Sequence, residues 1–538
     1  MKARLISLLT AAALVAGTMS SLPVYAAKKT SKKTTKKTTT TTVKAATNAV
    51  TISSVVIQGN NVVVAATGAA ATDDGLYHLY AQDPAMSGVQ GTEVAKTAAG
   101  ATAVFTFPLG NNTASSMLYK KFTVVGVSSG ALKDLSNDMY ILNPEAVATH
   151  TVARSDNGKK GLLPAAETIQ DTNTLKAMGV KQISYNLPVG DMISGGGVNY
   201  TYNGKTYSFN SAIVGQYDLI VPKMNAAGIQ VNLILLCGAN SGILIHPQSR
   251  GVAANYYMFN TVDQAGLEEL EAVASFLGQR YSGTGHGTVD NWIVGNEVNA
   301  RNEWNYMNPA AGLAGFAKAY ADELRVFYNG IKSQNANARI YAATDQEWMS
   351  DNAALHYGSQ EFLTQLNAQI TSEGNFDWSL ASHPYNFPLY EPNTLTTKAQ
   401  VTHTQSTRYI TMSNIDVLTD FMCQSQFLNP AGQVRSISLT EVGFTSSAAM
   451  GSNEALQAAD IVYAINQANV NQHIDGIIIN RQRSDASEIA QGLDYGLIGT
   501  NGVAKQAYSW FVTAESAGTI AAASAVLGKD IVSNLTVR

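Results

Sequence analysis

Val289–Asp290–Asn291–Trp292–Ile293–Val294–Gly295–Asn296–Glu297 reads as a short buried strand that delivers an asparagine and a glutamate at its carboxyl end. Val434–Arg435–Ser436–Ile437–Ser438–Leu439–Thr440–Glu441 does the same with a single carboxylate. Six more strand-like runs lie near residues 147–153, 180–187, 229–237, 339–344, 376–382 and 474–480, with helical stretches between most of them. The clearest helices, with apolar residues three and four apart, are Gln264 to Tyr281, Ala310 to Asn329 and Ala455 to Ala468. Strand alternating with helix is the mark of parallel β/α units. Eight such strands within residues 144–538 predict an α/β fold, a closed (β/α)8 barrel with long loops. Such a barrel presents its working residues at the carboxyl ends of its strands, where both glutamates fall.

Upstream the pattern changes. Residues 48–143 carry short β-branched and aromatic runs, such as Val62–Val63–Val64–Ala65 and Phe122–Thr123–Val124–Val125, separated by Gly, Asn and Asp clusters. That spacing predicts a small all-β sandwich. It contains no tryptophan for a sugar platform, which favours a structural spacer packed on the barrel over a carbohydrate-binding module. Residues 1–26 have the form of a signal peptide: basic Lys2 and Arg4, an apolar run from Leu5 to Gly17, and Val24–Tyr25–Ala26 before the cleavage point. No second long apolar run follows, so the expectation is a secreted protein with no stable membrane insertion. Residues 27–47 form a Lys/Thr-rich linker with seven lysines and no acid. It reads as a solvated spacer; the alternative is contact with an anionic cell wall.

The formal charge is −4, and residues 1–47 contribute nine positive charges, which leaves about −13 on the rest. An acidic body argues against nucleic acid as a partner. Hydrophobic residues make up 45% and charged residues 14%, enough apolar material for a substantial core. The two cysteines, Cys237 and Cys423, are too few for a disulfide framework and are expected to be buried free thiols. No zinc or iron–sulfur ligand spacing occurs, and no Gly-x-Ser-x-Gly elbow of a serine hydrolase. Ser194–Gly195–Gly196–Gly197 lacks the lysine of a phosphate loop and is expected to be a flexible loop over the active face.

Three motifs fall at strand ends in a particular order. Gly295–Asn296–Glu297 ends the fourth strand, Ser382–His383–Pro384–Tyr385–Asn386 the sixth, and Thr440–Glu441–Val442–Gly443–Phe444 the seventh. In this the chain resembles the clan A glycoside hydrolases, which are retaining TIM-barrel enzymes, and especially an uncharacterised bacterial barrel family with a β-sandwich in front. The resemblance covers about residues 147–515 at the level of motifs and strand order. It implies Glu297 as acid/base and Glu441 as nucleophile in double displacement at an O-glycosidic bond. It also implies Asn296 on the sugar 2-hydroxyl, Tyr385 holding the nucleophile and His383 lining the subsite, with no cofactor. The chain departs from the pattern at Val298, where proline is usual, and at strand eight, where Asn480–Arg481–Gln482–Arg483 replaces a stacking tryptophan.

Each candidate has a bland alternative. Glu297 could instead pair with Arg301, but a buried carboxylate needs a partner or a function. Trp304 and Trp348 are candidate stacking platforms; Trp378 precedes its strand's end and reads as core. Asp345, with Gln346 and Glu347, could bind hydroxyls, as could Asn186, Asn240 and Arg154, or these could be solvated loop residues. Arg481 and Arg483 are expected to pair with acids such as Glu303 or Asp485. Two rival readings keep the barrel: a catalytically inactive carbohydrate-binding or wall-associated protein, and a wall-remodelling transglycosylase. The partner in every case is a carbohydrate.

Overall fold

The computed structural model describes residues 48–154, 157–350 and 352–538; the expectations for residues 1–26 and 27–47 lie outside them. The N-terminal strands are β1 (Val50–Gln58), β2 (Asn61–Gly68), β3 (Leu76–Gln82), β4 (Thr92–Ala98), β5 (Thr102–Pro108), β6 (Lys121–Ser128), β7 (Ala131–Asp134) and β8 (Met139–Tyr140). They form two antiparallel sheets, β1-β2-β5 and β4-β3-β6-β7, with β8 also paired to β6. In β5, Ala103, Phe105 and Phe107 point inward while their neighbours face solvent, the period of two that a half-buried sheet requires. Phe107 meets Phe122 across the sandwich, ring centroids 5.3 Å apart.

A closed parallel barrel follows: β9 (Lys160–Leu162), β10 (Gln182–Pro188), then after the hairpin β11 (Gly197–Tyr202) and β12 (Lys205–Asn210), β13 (Gln230–Leu236), β14 (Asn291–Val294), β15 (Arg339–Thr344), β16 (Ser379–Ser382), β17 (Ile437–Val442) and β18 (Ile474–Ile479), which pairs back to β9. Every residue of β13, β14 and β16 is buried, because helices cover a parallel barrel outside and side chains fill it inside. Ile234, Leu236, Ile293, Tyr341, Ala343 and Ala381 form one cluster, while the alternate residues of the same strands join the larger core shared with the helices. The three helices expected from periodicity are Gln264–Arg280, Gly312–Lys332 and Glu454–Val470.

Two expectations are corrected. The first barrel strand is Lys160–Leu162, not 147–153; His150 makes only an isolated bridge to Asn335. The run Ser194–Gly197 leads into the β11–β12 hairpin. There Tyr200 and Phe209 pack against Phe276 of the helix Gln264–Arg280. Both cysteines are free, but only Cys237 is buried; Cys423 is half-buried, with Sγ 3.5 Å from His473 Nε2. Among the described residues, no helix is long and apolar enough to cross a membrane.

Candidate active site

β14 ends at Val294, and the chain then turns sharply. Gly295 has φ +73°, which glycine adopts freely, but Glu297 has φ +40°, a left-handed conformation that costs a residue with a side chain about 1–3 kcal/mol. The turn is pinned from both flanking strands: Gly295 N donates to Leu235 O (2.9 Å) and Val298 N to Ala343 O (3.1 Å). It aims the Glu297 side chain over the barrel mouth. Glu441 needs no turn, since it lies within β17.

The two carboxylates meet at His383. Its Nδ1 is 2.8 Å from Glu297 Oε1 and 3.9 Å from Glu441 Oε2, and its Nε2 is 3.0 Å from Thr440 Oγ1. The two carboxylates' nearest oxygens can therefore be no farther apart than those two distances end to end, about 6.7 Å. His383 is 0% exposed, against 17% for Glu297 and 25% for Glu441. It thus lies beneath the pair, whereas the resemblance had implied that it lines the subsite. Arg301, the bland partner for Glu297, instead donates to Met307 O.

Burial pushes the Glu297 carboxyl above the ordinary range. The His383 hydrogen bond partly offsets this, while the charges of Asp345 and Glu441 add to the rise. Burial alone would lower the His383 imidazole; its hydrogen bond to Glu297 and the charge of Glu441 outweigh that and raise it. The Tyr385 hydroxyl donates to Glu441 Oε1. Burial, then the Glu441 charge, pushes that phenol well above its usual value, so it keeps its proton. Asn480 Nδ2 donates to Tyr385 Oη (2.8 Å) and to Glu441 Oε1 (3.3 Å), so strand eight supplies an amide where a tryptophan was absent. Sequence reading missed Asn480: an asparagine ending an apolar run carries the same signal as Asn186 or Asn296.

Beside the pair lies a second polar network, also missed in part. Asp345 accepts from Asn299 Nδ2 (2.6 Å) and from its own neighbour's backbone, Glu347 N (2.9 Å), and its Oδ2 is 3.0 Å from His356 Nε2. With both oxygens engaged, Asp345 is a structural anchor and not an open hydroxyl binder. Burial would raise its pKa, but the His356 hydrogen bond outweighs this and lowers it. Burial would lower His356, but the Asp345 hydrogen bond and charge carry it up to about 9, an imidazolium at neutral pH. His356 sits in a loop with no periodicity, which is why nothing in the sequence marked it.

The remaining candidates separate. Trp348 is buried, packed edge-on against Phe421 (4.9 Å) with Nε1 donating to Gln405 O (3.2 Å), and is therefore core, not a platform. Trp378 is core, as expected, with Arg435 4.5 Å over its ring. Trp304 is half-buried and stacks on Tyr256 (5.1 Å, 12°). Asn296 is buried, and its side chain makes no hydrogen bond among the described residues. Asn186 lines a cavity of about 480 Å³ beside strand eight, with Tyr185, Asp191, Arg481 and Arg483. Asn240 sits outside it, exposed, donating to Asp191 Oδ1 (2.9 Å). Arg154 is at the opposite end of the barrel, donating to the β14 entry at Asn291 Oδ1 (2.6 Å). Arg481 pairs with Glu488 (2.8 Å) and Asp485 (3.8 Å), and Arg483 with Glu167 (2.7 Å), not with Glu303. Among the described residues no group of His, Cys, Asp and Glu is placed to hold a metal ion.

Fold and centre together define a (β/α)8 barrel protein with a paired-carboxylate centre at its mouth. The chain belongs to a family of unknown function, DUF5722, matched over residues 152–535. No curated protein matches it in sequence. It is similar to a family 39 glycoside hydrolase from Bacteroides cellulosilyticus WH2, with 14% identity over 86% of this chain and 79% of that one, TM-score 0.45. It is also similar to the exo-β-1,4-mannosidase Op5Man5 from Opitutaceae bacterium strain TAV5 (14% identity, 69% and 63% covered, TM-score 0.41). A third is a glucosidase from Croceicoccus marinus (13% identity, 68% and 69% covered, TM-score 0.40). The barrel assignment rests on the strand pairing described above.

Proposed function

We propose that the protein is a retaining glycoside hydrolase that cleaves O-glycosidic bonds of a polysaccharide or oligosaccharide outside the cell. The observation that carries this is the convergence of Glu297 and Glu441 on one buried histidine, with unequal environments. Retaining enzymes hold their carboxyl groups about 5–5.5 Å apart, and inverting ones about 6.5–9.5 Å. The bound set by His383 accommodates the former and only the lower end of the latter.

Glu441 Oε1 is occupied by Tyr385 and Asn480, so Oε2 is the oxygen that attacks the anomeric carbon. Glu297 Oε1 is held by His383, which leaves Oε2 to carry the proton to the departing glycosidic oxygen. The C–O bond breaks, the alcohol leaves, and a glycosyl–Glu441 ester remains. Esterification removes the Glu441 charge that helped raise Glu297, so the Glu297 proton affinity falls as its role changes from acid to base. Glu297 then takes a proton from water, and the hydroxide displaces Glu441 with net retention. The free Asn296 amide is within the same turn as Glu297 and is assigned to the sugar 2-hydroxyl.

The deciding experiment is hydrolysis of a panel of aryl glycosides by the wild type and by Glu441→Gln. Turnover should fall by about 10⁴-fold or more with the fold intact by circular dichroism. A fully active Glu441→Gln protein removes the nucleophile assignment, and inverted anomeric product in the wild type removes retention.

A further inference from the structure

The two carboxylates divide the barrel mouth into two arcs. β15 and β16 lie between β14 and β17 on the short arc; β18, β9, β10 and β13 make the long one. Each arc holds a recess. That of the long arc is the charged cavity beside Asn186 and Arg481. Over the short arc lies a groove of about 440 Å³, lined by the segments after β15 and β16 and by Gln491 and Leu493, which reach across from the long arc's β18 segment. Its character is different. Phe387 and Tyr409 stack in it with centroids 3.7 Å apart and planes 14° from parallel, Tyr390 is exposed beside them, and none of the described residues that line it is charged. Leu389 and Leu493, which also line it, pack on Tyr385, the residue whose hydroxyl holds Glu441. The groove thus borders the carboxylate centre and shares these side chains with it as a wall, although neither glutamate lines the groove. On its wall, Gln346 keeps a buried Oε1 that has no hydrogen-bond partner.

We propose that this groove is a subsite for a neutral pyranose ring, so that the substrate is an oligosaccharide with rings on both sides of the cleaved bond. This rests on the glycosidase reading above. A sugar chain threaded between the two carboxylates must leave the centre on both sides, and the groove is the recess of the short arc. A stacked aromatic pair suits the C–H face of a pyranose, since aromatic rings combine a large apolar face with defined geometry. Gln346 Oε1 is buried without a donor, and a turn of that amide would present it to a ring hydroxyl; leaving it unmet in a dry complex is costly. The charges nearest the groove, Glu347 and Arg408 beside Tyr409, are of opposite sign and lie outside its lining, so it suits a neutral ring better than a uronic acid or amino sugar.

The test uses the full-length Glu441→Gln protein, which binds without turnover. It is titrated calorimetrically with cellotetraose, mannotetraose, xylotetraose, laminaritetraose and maltotetraose, and with their monosaccharides. At least one tetraose should bind, more tightly than its monosaccharide. Adding Tyr409→Ala or Gln346→Ala should weaken that binding by about tenfold while leaving the monosaccharide unaffected. Tyr409→Ala also strips Phe387 of its stacking partner; Gln346→Ala leaves the stack in place and keeps the result independent of it. Tetraose affinity unchanged by both substitutions, or no tetraose bound at all, overturns the subsite. If instead Glu441→Gln retains wild-type turnover while tetraose binding still depends on Tyr409 and Gln346, the groove stands and the catalytic reading falls.

Discussion

Glu297 is set apart from Glu441 by its surroundings: its carboxyl is less exposed and its proton is held above the ordinary carboxylic range by burial and by two neighbouring charges. An acid catalyst works while protonated, so activity should fall as pH rises through that raised value. The expected alkaline limb of kcat/KM therefore belongs to Glu297. With a dinitrophenyl glycoside, whose leaving group needs no proton, Glu297→Ala should retain glycosylation and lose that limb; a limb that persists assigns it to another group, with His383 first in line. Both glutamates were legible in the sequence because an apolar run followed by a lone carboxylate is improbable without a task. The roles around them were less so. His383 and Trp348 have the same sequence signals as subsite residues, yet one is buried beneath the pair and the other packs under the loop around Gln405. Burial of a loop residue depends on what the rest of the chain lays over it, and no local pattern records that.

At the scale of elements, strands β17 and β18 are held at contact distance by Gly443. A Cβ there would lie 2.9 Å from Asn480 O, 2.9 Å from Tyr385 Cε1 and 3.1 Å from Tyr495 Cγ. Gly443→Ala should therefore push Tyr385 away from Glu441. We expect kcat to drop by about 10²-fold with a smaller change in KM, because sub-ångström misplacement of a reacting group acts on the chemical step; unchanged kcat would show that the ring relaxes in place. The helix Gly312–Lys332 carries a different liability. Glu323 is wholly buried, accepts from Phe259 N (2.8 Å), and has no cation paired with it among the described residues; burial raises its pKa well above the normal value. The folded state holds this proton at pH values where the unfolded chain has released it, so stability falls as pH rises above the usual glutamate range. Glu323→Gln keeps the acceptor and abolishes the titration. It should stabilise the protein by roughly 1–3 kcal/mol at pH 8 relative to pH 5, read from urea midpoints; equal effects at both pH values would reject the assignment. Seven barrel strands were legible because apolar runs mark them, β-branched in most though not in Ser379–Ser382. The first was not: Lys160–Gly161–Leu162 is three residues with a central glycine, and a Cβ on Gly161 would lie 2.2 Å from Ile478 Cδ1. Close packing against β18 selects glycine there and erases the apolar signature.

Across the whole molecule, the sandwich and the barrel share one buried ionic centre. Lys121 on β6 is 2% exposed and lies 3.0 Å from Asp138 Oδ2 of the sandwich and 2.8 Å from Glu373 Oε1 of the barrel. Around it, Tyr119 Oη donates to Glu271 O (3.4 Å), Asn329 Nδ2 to Leu118 O (2.8 Å), and Arg325 stands 4.9 Å over the Tyr140 ring. The spacer reading of residues 48–143 fits this contact, since its polar groups are spent on the helices Gln264–Arg280 and Gly312–Lys332. Removing Lys121 strands the part-buried Asp138 carboxylate and leaves Glu373 only Lys318, 3.6 Å away, which is costlier than the intact cluster is stabilising. Lys121→Met should therefore destabilise the protein by about 3 kcal/mol. Part of that loss should return in Lys121→Met/Asp138→Asn, where the stranded charge is also gone. Calorimetry gives the same centre a second readout: the wild type should unfold in one cooperative transition, and Lys121→Met should broaden it or separate a sandwich transition from a barrel transition. A single transition at an unchanged midpoint in Lys121→Met would mean that the two parts are coupled by their apolar contact and not by this lysine.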